Sequence, residues 1–204
     1  MGQQRLAGTT GAIELFEPTE TVSRVLDELL TRHRSPLTDL SGIPRGPGYY
    51  AGFFRTPRSD EYRLDADCYR RVGRGTYPVY LGSSKSLSGR MGEHFRNCLP
   101  VESIEGGHAL YIAHVATTSW EDALYAEQVL CRLLRPAWNT VLRGWGSAWQ
   151  GRSRASQAAP DWSILHPGRL VGCGLVTSDP AALREKVAAH LESTVTLDLW
   201  SPLR

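Results

Sequence analysis

Six polar residues set among apolar neighbours carry the chemical potential of this chain: Tyr50, Tyr80, Arg90, His94, Glu127 and Asn139. Glu127 makes the sharpest physical case. Around it Ala123, Leu124, Ala126, Val129, Leu130, Cys131, Leu133 and Leu134 recur at helical spacing, while Glu121, Tyr125, Gln128, Arg132 and Arg135 fill the opposite side of the wheel. At about 100° per residue, Glu127 falls near the middle of the apolar arc. An unpaired carboxylate there is costly, so it must be ion-paired, hydrogen-bonded or bound to a cation. Two readings stand side by side: an internal salt bridge with Arg90 as partner, and a metal-binding or catalytic role.

Arg90 and His94 are four residues apart, which puts them one turn apart on a single helix face. Leu87, Met91, Phe95 and Cys98 form the adjoining apolar stripe, so both polar side chains flank the core and can reach one shared site. Alone, such a pair reads as a solvated helix edge. Beside an inward-facing Glu and two strand tyrosines, it becomes more specific.

The elements that must position these groups follow from pattern and punctuation. Gly48-Tyr49-Tyr50-Ala51-Gly52-Phe53-Phe54 and Pro78-Val79-Tyr80-Leu81-Gly82 read as strands, the second running into the segment that carries Arg90 and His94. Residues 109–116 read as a third strand, followed by the Glu127 helix, which Pro136 ends just before Trp138-Asn139. Residues 19–34 form an amphipathic helix with Val22, Val25, Leu26, Leu29 and Leu30 on one face, and prolines and glycines at 42–48 link it to the first strand. A long connection, 55–77, mixes acids and arginines; loops of that length are uncommon and often functional. Asp179-Pro180 starts a C-terminal helix reaching to about Leu191, with Asp as cap and Pro at its first position. The expected fold class is therefore α/β of the α+β kind. It has a small three-stranded antiparallel or mixed sheet flanked by helices, an N-terminal helix and a C-terminal extension. Its expected divisions are an arm over 1–45, a core over 46–141, and a loop and helix over 142–204 packed on that core.

At 204 residues and 22.6 kDa the chain suffices for one packed domain with appendages. A 41% hydrophobic content and a mean hydropathy of −0.30 exclude a membrane-embedded class, and Met1-Gly2-Gln3-Gln4-Arg5-Leu6 has no apolar signal core. The cytoplasm is the expected compartment. Cys68, Cys98, Cys131 and Cys173 are scattered singly, which gives zinc ligation and dithiol chemistry little support. A net charge of +2 excludes a general polycation, but charge is unevenly distributed. From 128 to 160 there is no Asp or Glu, while Arg132, Arg135, Arg143, Arg152 and Arg154 occur among Trp138, Trp145 and Trp149. Arginines with interleaved aromatics suit a phosphate backbone. A glycine-rich surface loop whose tryptophans cover the core is the bland alternative.

Taken together, the Gly-Tyr-Tyr strand, the Val-Tyr-Leu-Gly strand, Arg90, His94, Glu127 and Asn139 resemble the GIY-YIG nuclease superfamily. The residues from 46 to 141 are similar to its domain in order and spacing. Arg135-Pro136-Ala137-Trp138-Asn139, Gly151-Arg152, Asp161-Trp162 and Ile164-Leu165-His166-Pro167-Gly168-Arg169 resemble the branch of type II restriction endonucleases that cuts CCGCGG. The chain departs from that branch between Tyr80 and Arg90, where the branch carries an insertion and this sequence is short.

The resemblance implies a Mg²⁺-dependent phosphodiesterase on double-stranded DNA, with Mn²⁺ as a substitute, acting as a homodimer beside a cognate DNA methyltransferase. It implies that Glu127 holds the cation and that Tyr50 orients or deprotonates the attacking water with Tyr80 beside it. Arg90 would clamp the phosphate, and His94 would relay the proton or hold the tyrosine. Asn139 would fix the phosphate or the end of the Glu127 helix. Lys85, Arg143, Trp145, Arg152, Arg154 and Arg169 are the expected DNA contacts, although Lys85 reads equally as an exposed turn residue. Two other classes share these features: a structure-selective or nicking GIY-YIG nuclease, and a protein that keeps the fold for non-nuclease small-molecule chemistry.

Overall fold

The computed structural model describes residues 20–54, 77–142, 144–146, 159–168 and 176–194. Strand β1 is Ser35–Pro36, β2 is Gly48–Phe54, β3 is Tyr80–Ser84 and β4 is Leu110–Ala116. They form one antiparallel sheet in the order β1-β4-β2-β3. The expected three-stranded core is present, wholly antiparallel, with the two-residue β1 added on β4. Sequence patterning gives no sign of β1, because two residues that include a proline carry no periodicity.

Every residue of β2 is buried, because both faces of the sheet are covered. Alternation along β2 sends Tyr50 and Phe54 to one side and Tyr49, Ala51 and Phe53 to the other. Helices α1 (Glu20–Thr31) and α3 (Trp120–Leu134) supply Leu29, Ala126, Leu130 and Leu134 to the Tyr49 side. On the Tyr50 side lie α2 (Leu87–Cys98), α4 (Ala137–Thr140), α5 (Asp161–Leu165) and α6 (Pro180–Thr194). They bring in Leu87, Met91, Trp138, Trp162, Leu183 and Val187. Fully burying one such Leu or Val contributes roughly 1.5–3 kcal/mol.

Local signals set the helix ends. Ser119 caps α3: its hydroxyl accepts from the Asp122 amide at 3.0 Å and donates to the Asp122 carboxylate at 2.7 Å. This N-cap is worth about 1 kcal/mol. At the other end Arg135 adopts a left-handed turn with φ 45° ahead of Pro136, and its carbonyl accepts from His190 Nε2 at 2.7 Å, which ties α6 to α3. The Pro/Gly segment read as a linker is anchored instead: the carbonyls of Pro44 and Gly46 accept from the amides of Ser88 and Leu87 in the first turn of α2. No helix among the described residues is long and apolar enough to cross a membrane.

Candidate active site

The site is built around β3, the edge strand. Tyr50 on β2 stands opposite Gly82 on β3. A Cβ at position 82 would lie 2.6 Å from Tyr50 Cζ and Oη, so only glycine lets the phenol lie across the neighbouring strand. The ring is 1% exposed and its Oη is 2.7 Å from Nε2 of His94, which α2 buries to 2%. His94 therefore belongs to the buried face of α2 with Leu87, Met91 and Cys98. Tyr80 completes the cluster, its ring centroid 6.0 Å from Tyr50 and 5.9 Å from His94.

Arg90, one turn before His94, is half-buried. Its Nη1 donates to Glu93 Oε2 at 2.7 Å and its Nη2 to the carbonyl of Gly146 at 2.9 Å. The anticipated Arg90–Glu127 salt bridge is not formed, since each side chain has another partner. Arg90 nonetheless lies close enough to favour the charged form of Glu127.

Glu127 approaches from the other side of the sheet. It projects from α3 toward the outer edge of β3, where the Ser83 hydroxyl donates to its Oε2. Burial raises the Glu127 pKa, and hydrogen bonding from Ser83 and the charge of Arg90 partly offset that shift. No cluster of three or more His, Cys, Asp or Glu suited to a metal occurs among the described residues. A single hard carboxylate still suits Mg²⁺, which retains most of its waters and takes one or two protein carboxylates. The donor set fits that cation and would suit a zinc centre poorly.

Asn139 pairs with the main chain of β3. Its Oδ1 accepts from the Leu81 amide and its Nδ2 donates to the Leu81 carbonyl, both at 2.8 Å. The side chain pairs with β3 as another strand would, and the Trp138 amide adds a bond to the Val79 carbonyl at 2.9 Å. With Oδ1 and one Nδ2 hydrogen committed to main chain, Asn139 braces the strand that carries Tyr80 and Ser83.

Tyr50, Tyr80, Arg90 and His94 thus share one cluster, with Glu127 at the adjacent strand edge and Asn139 bracing that edge. Lys85 is exposed at the turn before α2, its Nζ 5.9 Å from the Trp120 ring centroid. Trp145, expected on the DNA surface, is 3% exposed: its ring stacks on His94 at 4.9 Å and 8° and packs against Trp138 and Trp162. Its apolar area is worth more in that aromatic core than in water, so it walls the site. Arg143, Arg152, Arg154 and Arg169 lie outside the described residues, as does 55–76 of the long connection. Sequence patterning does not single out Ser83 or Gly146. A serine two positions beyond Leu81 on a strand edge is too common a pattern to have flagged the first.

The electrostatics limit what the tyrosines can do unaided. Burial holds the Tyr50 hydroxyl well above its ordinary pKa of 10, with Tyr80 adding to the rise and Arg90 opposing it. Burial, then the charge of Glu127, pushes Tyr80 up to about 12. Neither is a ready phenolate, so Tyr50 can act as a base only by passing its own proton on. His94 Nε2 is the group within reach.

The family model described as the Eco29kI GIY-YIG domain matches residues 70–193. No curated protein sequence matches the chain. Among solved structures, similarity is found to the GIY-YIG N-terminal endonuclease domain of UvrC from Thermotoga maritima, bound to magnesium. It is 18% identical, covers 58% of this chain and 94% of that one, and has a TM-score of 0.31. Two point mutants of that domain give 18% and 17% identity over 58% of this chain and 93% and 94% of theirs, with TM-scores of 0.30 and 0.31. Overlap this low adds nothing to the fold described above.

Proposed function

This chain belongs to the Eco29kI GIY-YIG family of restriction endonucleases, and from that premise we propose that it is a Mg²⁺-dependent type II enzyme. Its substrate would be double-stranded DNA, cut at a specific, GC-rich palindromic site. The observation that carries the reading is the convergence on one strand edge of a buried Tyr50–His94 hydrogen bond, a guanidinium and a cation-ready carboxylate.

Hydrolysis requires an aligned water, neutralisation of charge on the phosphorane-like transition state and stabilisation of the departing 3′ oxygen. Tyr50 Oη accepts a proton from the attacking water as its own proton passes to His94 Nε2, so no free phenolate is needed. A new bond forms from the water oxygen to phosphorus and the bond to the 3′ oxygen breaks. Arg90 exchanges the Gly146 carbonyl for phosphate oxygens and neutralises them through its planar fork. Tyr80 orients the water beside Tyr50. Glu127 would hold a divalent cation, Mg²⁺ with Mn²⁺ as substitute, which would supply charge neutralisation at the leaving oxygen.

Arg143, Arg152, Arg154 and Arg169, with Lys85, are proposed as contacts to the DNA of a homodimer that acts beside a cognate methyltransferase. Purified protein with Mg²⁺ should cut GC-rich duplexes at discrete positions. Intact plasmid and genomic DNA under Mg²⁺ or Mn²⁺ would overturn the nuclease reading. Alanine at a base-reading arginine should cost about 1–3 kcal/mol at one base position, whereas at a phosphate-bound arginine it should weaken all sequences alike.

A further inference from the structure

We propose that Ser83 is a positioning residue for Glu127: its hydroxyl holds Oε2 and thereby presents Oε1 to the divalent cation. The inference rests on the reading of Glu127 as the cation ligand. Where several carboxylates share a metal, each helps hold the others in place. Here no such cluster exists among the described residues, so the orientation of one long side chain falls to its neighbours. Ser83 is the residue among them that donates to Glu127, through its hydroxyl.

That contact follows from the register. Ser83 lies opposite Tyr49, one position beyond the Tyr50–Gly82 pair, so its side chain emerges on the α3 side of the sheet, where Glu127 stands. Because β3 is the edge strand, its outward amides have no strand partner. The Leu81 amide is taken by Asn139, two residues before the Ser83 hydroxyl that meets Glu127. Asn139 fixes Leu81, Leu81 fixes the course of β3 at Ser83, and Ser83 fixes the carboxylate. One strand segment and an asparagine 58 positions along the chain therefore set the orientation of the carboxylate. Partners of this kind typically alter metal affinity or activity by about 10–100-fold when removed.

The test measures Mn²⁺ binding to the full-length protein without DNA, by electron paramagnetic resonance titration, for wild type, Ser83→Ala, Ser83→Thr, Glu127→Gln and the Ser83→Ala/Glu127→Gln double variant. Cleavage in Mg²⁺ and thermal stability are recorded alongside. Ser83→Ala should weaken Mn²⁺ about 10-fold or more, and Ser83→Thr, which keeps the hydroxyl, should restore it. In the Glu127→Gln background Ser83→Ala should add nothing, because the two act as a unit. If Ser83→Ala fails to fold, Ser83→Cys against Ser83→Thr takes its place, keeping volume while weakening the donor. Wild-type Mn²⁺ affinity in Ser83→Ala, or an equal loss from Ser83→Ala in the wild-type and Glu127→Gln backgrounds, overturns the role of Ser83 and leaves the nuclease reading intact. Mn²⁺ bound through Glu127 and weakened by Ser83→Ala, with no DNA cut, sinks the nuclease reading and leaves this one. Unchanged Mn²⁺ binding in Glu127→Gln overturns both.

Discussion

Tyr49 and Tyr50 are adjacent in sequence and opposite in surroundings. Tyr50 meets His94, whereas Tyr49 donates from its hydroxyl to the Val25 carbonyl of α1 at 3.2 Å. Tyr50→Phe should lower the cleavage rate by about 10²–10⁴-fold, the range for a lost proton-transfer group. Tyr49→Phe should cost only about 0.5–1.5 kcal/mol of stability. Single-turnover cleavage and urea melts of both variants check this, and equal rate losses would mean the strand alternation carries no catalytic meaning. Glu127→Gln should lose about 10³-fold or more in rate, as expected for removing transition-state stabilisation, with DNA binding kept. It should also raise stability at pH 7 by about 0.5–2 kcal/mol. Because burial raises the Glu127 pKa, the folded state binds its proton more tightly than the unfolded state, and stability falls as pH rises through that interval. The gain from Gln should therefore be full at pH 7 and shrink as pH falls toward the ordinary value of 4.5, which paired thermal melts would detect.

Among the elements, β3 depends most on residues remote in sequence. Asn139→Ala leaves the Leu81 amide and carbonyl without their partner and should cost about 2–4 kcal/mol. Asn139→Asp should be comparably harmful at pH 7, where a carboxylate faces the Leu81 carbonyl, and milder in acid, where a protonated carboxyl regains one donor. Melting temperatures of both variants across pH separate a bracing amide from a mere space-filler. This brace was invisible in the sequence for a physical reason. Periodicity reports which face of an element is apolar, and it placed β2, β4, α3 and the inward lean of Glu127 to within a residue or two. It does not report which side-chain amide substitutes for a missing strand. The same limit explains Trp145: an arginine-flanked tryptophan has equal reason to face DNA or to pack, and only the neighbouring Trp138, Trp162 and His94 rings decide between them.

At the scale of the whole molecule, an aromatic seam joins the Tyr50–His94 pair through Trp145, Trp138 and Trp162 to His166, tying α5 to the face that carries the candidate site. His166 is 1% exposed, 2.8 Å from Ser103 Oγ through Nδ1, and burial lowers its pKa to about 3. The unfolded chain takes up this proton below about 6.5 and the folded chain does not, so stability is complete above that pH and drains away as pH falls toward 3. The slope attributable to His166 approaches about 1.4 kcal/mol per pH unit. Melts between pH 7 and pH 5 should show a shallower decline in His166→Asn than in wild type, and parallel slopes would reject the assignment. The bracing of β3 has one more consequence. A strand with exposed amides and carbonyls is a template on which another chain can add, the route to edge-to-edge aggregation and to dimers that share a sheet. Here the Asn139 side chain and the Trp138 amide already occupy that template at Leu81 and Val79. At these positions β3 offers no free edge to an added strand, so the same groups that brace the candidate site also protect that stretch from uninvited partners.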